Sequence, residues 1–348
     1  PVSSVYDDRV YALAKNALDQ SPTTVVVLHT VAGSKTGMFA PSWDISTRLV
    51  EEYGDRVVCV LDACQMRHAP TLLPRWLKEL GVAMITGSKF YGGPSFSGGV
   101  LLSNKVVDFM QSALFIEGPT TQKIFARAMS AYLTRHDVCS RIPSLCGALP
   151  PVAYANLGLI LRWAAALHEM ESLHEAIDSV GLEVAGNRMR EWVMRVRAMV
   201  SSLHDEGLVQ LPVDDYEGSD YQLGGINSIV PVRLVKDGAK GEGVSYLNVD
   251  ELKIVYHAMY MNVSELLPAE ASEEECRIAG HQCLLGQPVP VPQNPVLRTC
   301  MGAPQFKQLL SAENFEEELE SMLELDWSVL RKLAVCRKYF SSLEAALS

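Results

Sequence analysis

Apolar and polar positions in the first hundred or so residues switch repeatedly between two periods. Val5 to Leu18 repeats at helical spacing, and Thr23 to Leu28 is a β-rich run. Trp43 to Tyr53 is helical, Val57 to Leu61 is a short apolar run, and Leu72 to Leu80 is helical again. Val82 to Ile85 and Gly99 to Leu102 close the series. Such alternation predicts βαβ units and a mostly parallel sheet. Strands that are apolar without interruption predict that both faces of this sheet are buried. From Val106 to about Leu203 the pattern is mainly helical, with a Pro-, Cys- and Gly-rich break near Arg141 to Pro151. Leu157 to Ile177 reads as one long, partly buried helix. Composition changes near Asp205; beyond it Ile226 to Leu234 alternates as a strand and Val249 to Met261 reads as a helix. Val296 to Cys300 is a short strand pattern, and Phe315 to Phe340 is a helical end. The expected architecture is an α/β domain over residues 1–204, its mostly parallel central sheet flanked by helices, and a smaller α+β domain over 205–348.

Composition narrows the function classes. With 48% apolar and 20% charged residues the chain is an ordinary globular protein. Its net charge of −11 argues against nucleic acid or an anionic membrane as the main partner. No apolar run approaches the roughly 18 residues of a membrane helix, and the first residues do not form a signal peptide. The eight cysteines are scattered without a CxxC pair, which reads as reduced thiols of a cytoplasmic protein, with neither a disulfide framework nor a metal site. The chain begins with Pro1 instead of Met, as a processed product or an incomplete sequence would.

The chemistry concentrates at strand ends. One apolar run ends in Asp62-Ala63-Cys64-Gln65, and the next in Thr86-Gly87-Ser88-Lys89, followed by Gly92-Gly93-Pro94. Ligands of parallel sheets bind at the carboxyl ends of the strands, where His29, Thr30, Asp62 and Thr86 to Lys89 all fall. A strand ending in Asp beside one ending in Ser-Lys is what pyridoxal phosphate requires. The lysine amine forms a Schiff base, and the carboxylate keeps the ring nitrogen protonated so that the ring can accept electrons. Gln65 is spaced to reach the cofactor's phenolic oxygen, and Thr86 and Ser88 to bind its phosphate. Each residue alone has a plainer reading: Asp62 as a helix cap, Gln65 as a surface amide, Thr86 and Ser88 as turn residues, Lys89 as a solvated lysine. Gly33-Ser34-Lys35-Thr36 superficially suggests a P-loop, but it lacks the first glycine of G-x-x-x-x-G-K-[ST] and has Ser34 before the lysine.

Taken together, Asp62-x-x-Gln65 and Thr86-Gly87-Ser88-Lys89 with Gly92-Gly93-Pro94 resemble the class V aminotransferases among the fold-type I pyridoxal-phosphate enzymes. His29-Thr30 followed by Gly37 is similar to that family's segment on the substrate side of the cofactor. Gly280-His281-Gln282-Cys283, with Arg298 fifteen residues past the cysteine, resembles the cysteine desulfurase and selenocysteine lyase branch. The resemblance implies pyridoxal 5'-phosphate as cofactor and a small amino acid as substrate. It also implies Cys283 as a persulfide-forming nucleophile and Arg298 as the clamp on the substrate carboxylate, a task suited to a guanidinium fork. Cys283 as a buried structural thiol and Arg298 as a surface ion pair are the alternatives. The resemblance further implies a homodimer, with Thr120 or Thr121 a candidate to reach the partner's phosphate. Two departures stand against desulfurase chemistry: Ser88 where the family usually has His, and extra residues around Leu284-Leu285 between Cys283 and Gln287-Pro288. The family's preceding segment, which supplies a phosphate loop and a ring that stacks on the cofactor, is not found. The chain is therefore expected to be an N-terminally incomplete enzyme or a homologue that keeps the fold without catalysis. Within the family, transamination is the other reaction class to expect.

Overall fold

The structure is a computed structural model that describes residues 2–116, 120, 124, 127–150, 156–211, 227–236, 244–292 and 295–347. Its contacts divide the chain into two compact units: Pro1–Ala32 with Phe39–Ser172, and Gly33–Met38 with Leu173–Ser348. The dividing line falls inside a helix, upstream of the composition change near Asp205.

The first unit contains α1 (Val2–Gln20), β1 (Val26–Ala32), β2 (Phe39–Ala40), α2 (Trp43–Tyr53), β3 (Val57–Asp62), α3 (Leu72–Glu79), β4 (Gly81–Thr86), β5 (Gly98–Leu102), α4 (Asn104–Ile116), α5 (Pro143–Ala148) and most of α6 (Leu157–Val180). The sheet order is β2-β1-β3-β4-β5, with β1, β3 and β4 parallel and the two outer strands antiparallel. The expected α/β fold is present, its central strands parallel and flanked by helices.

One sheet face is packed. Leu28, Thr30, Cys59, Leu61 and Ala83 are buried there. Helix α2 lies against them, since the Thr30 and Ser46 hydroxyls are hydrogen-bonded at 3.1 Å. Its end at Gly54 adopts a φ of 59°, a left-handed conformation that glycine takes without steric cost. Trp76 of α3 is fully buried, donates to the Val82 carbonyl and meets Trp43 edge-on at 5.0 Å.

The opposite face corrects the expectation of burial on both sides. Val27 is 56% and Val100 59% exposed, so β1 and β5 remain open to solvent there. Near β4 the face meets α4, and a cleft of about 740 Å³ opens over Val58, Val60, Val82, Leu102 and Phe109. An uninterrupted apolar run records that a strand suits burial; whether anything covers it is decided elsewhere in the chain.

The second unit comprises α7 (Leu182–Ser202), β6 (Leu208–Gln210), β7 (Ile229–Leu234), α8 (Val249–Tyr260), α9 (Glu273–Gly280), β8 (Gly286–Val289), β9 (Val296–Cys300), α10 (Ala303–Ser311), α11 (Phe315–Lys338) and α12 (Phe340–Leu347). Its sheet, ordered β6-β7-β9-β8, is antiparallel throughout. The unit's α+β character is the expected one, although its main segment begins at Leu173 and not near Asp205. Ile226, where the sequence pattern starts β7, lies outside the described residues. Strands β6 and β8 are three and four residues long, too short to register as alternation. Helix α9 begins with a capping box between Ser272 and Glu275. Val193, Val196 and Val200 of α7 are fully buried, as are Leu252 and Val255 of α8 and Val296 and Leu297 of β9.

Burial also sets an alkaline limit on the first unit. It pushes the Cys59 thiol from 9.0 up to about 12 and the Tyr91 hydroxyl from 10.0 up to about 12. The folded state therefore keeps protons that the unfolded chain sheds between pH 9 and 12. Stability is full below the unfolded pKa values and is lost as pH rises through the folded ones. Urea midpoints should fall between about pH 8 and about pH 10.5, and less steeply in Cys59→Ala. Equal slopes in the two proteins would show that Cys59 does not titrate with unfolding.

Candidate functional site

Strand β3 ends at Asp62, whose Oδ1 accepts the Cys64 N–H at 3.0 Å. The chain then turns sharply. Ala63 N–H bonds the Met84 carbonyl of β4, and Met66 N–H returns to Ala63 O at 2.8 Å. Met66 sits at a φ of 55° with its side chain buried, a left-handed conformation costly for a residue other than glycine. Gln65 rides on this turn, half-buried and with no hydrogen-bond partner among the described residues.

Strand β4 ends at Thr86, whose hydroxyl bonds Ser88 Oγ at 2.9 Å and accepts the Ser88 N–H. Lys89 follows and is exposed, while its neighbours Phe90 and Tyr91 are buried and meet edge-on. The two rings anchor the loop and leave the amine outside. Gly92 N–H closes the turn on Lys89 O, and Gly93 N–H bonds Gly87 O at 3.0 Å. Helix α6 packs on this double turn through Ala166. A methyl on Gly93 would lie 2.8 Å from the Gly87 carbonyl and 2.9 Å from the Ala166 methyl, and one on Gly87 would overlap Ala166 outright. Gly93→Ala should therefore cost about 1–3 kcal/mol of stability in a urea titration. An unchanged midpoint would mean that α6 gives way freely.

The strand register shows which side chains share a face. His29 pairs with Val60, Asp62 with Met84 and Thr86 with Gly98, and residues two apart on a strand share a face. His29, Asp62 and Thr86 therefore share a face of three adjacent strands, Asp62 and Thr86 at their strand ends and His29 three residues before the end of β1. The Cys64 thiol joins them. Burial pushes it up to about 11, helped by its hydrogen bond to Asp62 and that carboxylate's charge and opposed by the charge of Lys89. The Cys64 thiol thus feels the charges of both Asp62 and Lys89. Sequence reasoning missed Cys64, although its place two residues after Asp62 was the available signal.

Thr30 does not join this group. It is fully buried on the packed face, its hydroxyl spent on Ser46, so the expected contact with the cofactor is corrected. Its neighbour His29 faces the other way because side chains alternate along a strand. Thr121 lies outside the described residues, and Thr120 is exposed.

Ureidoglycine-glyoxylate aminotransferase of Bacillus subtilis is similar in backbone over 98% of this chain and 68% of its own, with a TM-score of 0.50 and 13% identity. The chain has the fold of that aminotransferase. A protein of Erwinia carotovora described as a histidinol-phosphate aminotransferase aligns over 92% of this chain and 65% of its own, with a TM-score of 0.38 and 11% identity. No protein-family model and no curated protein sequence matches.

Two further expected residues lie in the second unit of this aminotransferase fold. Cys283 is buried, its N–H bonded to the Met259 carbonyl at 2.7 Å, and burial raises its thiol pKa. A persulfide-forming nucleophile needs an accessible thiolate, so this environment suits the structural alternative. Arg298 is half-buried on β9, and its Nη1 donates to the Lys35 carbonyl at 3.1 Å. Among the described residues it makes no ion pair, unlike the surface pair considered from sequence. The same unit holds Asp326 and Lys332, two charged residues on α11 that sequence reasoning passed over because each looks ordinary on an amphipathic helix.

Proposed function

We propose that the open face of the first unit binds pyridoxal 5'-phosphate and that the protein is a pyridoxal-phosphate enzyme acting on a small amino acid by transamination. One observation carries this reading: the register brings the Asp62 carboxylate and the Lys89 loop to adjacent strand ends, with Cys64 feeling the charge of both. The residues fit the group. Lys89 is an exposed amine without an ion pair among the described residues, Gln65 has an unused amide, and Thr86 and Ser88 keep acceptor capacity in their hydroxyls.

The bound cofactor supplies an electron sink for the substrate's α-carbon. Lys89 would hold its aldehyde and would carry a proton to and from the substrate's α-carbon. Asp62 would keep the pyridine nitrogen protonated, Gln65 would donate to the phenolic oxygen, and Thr86 and Ser88 would bind the phosphate. His29 faces the substrate side. The assembly is a homodimer.

The test is spectroscopic. Wild type with added pyridoxal phosphate should show a visible absorbance band that is absent in Lys89→Ala. Borohydride reduction should fix the cofactor's mass on the Lys89 peptide. No band and no added mass in wild type would sink the proposal and leave a fold kept for partner binding. Sulfur-lyase chemistry is the less favoured branch because Cys283 is buried. Cys283→Ser should keep whatever amino-acid activity is found, and loss of sulfur release in that variant would restore the branch.

A further inference from the structure

In the first unit, two thiols lie around one carbonyl ahead of α5. The Cys139 carbonyl accepts the Ile142 N–H at 3.0 Å and the Cys146 thiol at 3.4 Å. The same thiol lies 3.9 Å from the Val138 carbonyl. Cys146 N–H closes the next turn on Ile142 O at 3.0 Å, so two successive turns connect the cysteines. Covalent geometry then puts the Cys146 sulfur no more than about 6 Å from the Cys139 Cα. A rotation about the Cys139 Cα–Cβ bond can close such a gap to a disulfide.

The turns are anchored on α4. Arg141 Nη1 donates to Asn104 Oδ1 at 2.5 Å, and Ser144 Oγ to Gln111 Oε1 at 2.8 Å. Ile142 and Leu145 are buried with Leu149 and with Val107 of α4. Thiols held in this way meet at a high effective concentration. Cys139 is exposed and Cys146 half-buried, whereas Cys59, Cys283 and Cys336 are buried. An exposed thiol reacts first with an oxidant, and a neighbouring thiol resolves the product.

We propose that Cys139 and Cys146 form a redox modification site whose substrate is a hydroperoxide. With hydrogen peroxide, the Cys139 sulfur attacks one oxygen and the O–O bond breaks. Cys139 becomes a sulfenic acid, and its thiol proton leaves with the other oxygen as water. The Cys146 sulfur then attacks the Cys139 sulfur. The S–S bond forms, the S–O bond breaks, and the hydroxide leaves as water with the Cys146 proton. Two thiols are oxidised to one disulfide while one peroxide is reduced to two waters. The site goes beyond the proposed function, since it requires neither the cofactor nor Lys89.

The test adds hydrogen peroxide to the reduced 348-residue chain and reads its peptides by mass spectrometry without reduction. Trypsin cuts after Arg135, Arg141 and Arg162, so the bridge joins peptide 136–141 to peptide 142–162 with the loss of two hydrogen atoms. That linked pair is expected in the monomer band of a denaturing gel, and dithiothreitol should reverse it. In Cys146→Ser, dimedone should label Cys139 at least about tenfold more than in wild type, since no thiol remains to resolve the sulfenic acid. The wild-type readout decides the question even if the serine variant misfolds. Oxidation of Cys139 to sulfinic acid without linked peptides would overturn the inference, by showing that Cys146 does not reach it. A Cys139 that stays reduced, or a bridge found only between two chains, would do the same.

Discussion

Lys332→Met should remove about 3–5 kcal/mol of stability, a large share of what a typical domain possesses. Lys332 lies on α11 and has no exposed surface. Its ammonium donates to the main-chain carbonyls of Met259 at 3.1 Å, Met261 at 2.7 Å and His281. Three donors meet three acceptors, two of them at the end of α8, where the last carbonyls lack helical partners. Methionine fills a similar volume but leaves the Met261 and His281 carbonyls without this donor, while the Met259 carbonyl keeps only the Cys283 N–H. Burial lowers the Lys332 pKa. The unfolded chain therefore holds more protons between that lowered value and 10.5, and this lysine's contribution grows as pH rises through that window. Urea denaturation at neutral pH tests the prediction. A midpoint within error of wild type would show that water replaces the ammonium at little cost.

Asp62→Asn should weaken pyridoxal phosphate binding by about tenfold to a hundredfold, the range expected for losing one charged hydrogen-bond partner. Asparagine can still accept the Cys64 N–H, so the turn after β3 keeps its geometry while the charge disappears. A second readout needs no cofactor. The hydrogen bond and charge of Asp62 help hold the Cys64 thiol up at about 11, so Asp62→Asn should lower that value and speed alkylation of Cys64 at mildly alkaline pH. Faster alkylation with unchanged cofactor affinity would place the carboxylate correctly but remove it from the cofactor. No change in either would contradict the geometry itself.

Much of the site was legible because its signals are local. Asp62 and Thr86 close their strands as the ends of apolar runs indicated, and Lys89 follows in a turn. Thr30 was misjudged because a position at a strand's carboxyl end does not reveal which face its side chain takes. Register and the packing of α2 made that choice. Cys283 could be a nucleophile or a structural thiol from its neighbours in sequence, and only the fold shows it buried with its N–H on the carbonyl of Met259, 24 positions earlier. Asp326 and its hydrogen-bond donor Trp192 are 134 residues apart and had no shared signal at all.

By itself, then, the sequence determined the longer helices and strands, the parallel character of the central sheet and the placing of Asp62 and Lys89 at adjacent strand ends. These follow from hydrophobic period and side-chain chemistry, which act over a few residues. Only the tertiary structure decided which sheet face is open and why Thr30 turns away from it. Those outcomes depend on strand register and on contacts between distant segments, and no local pattern encodes them.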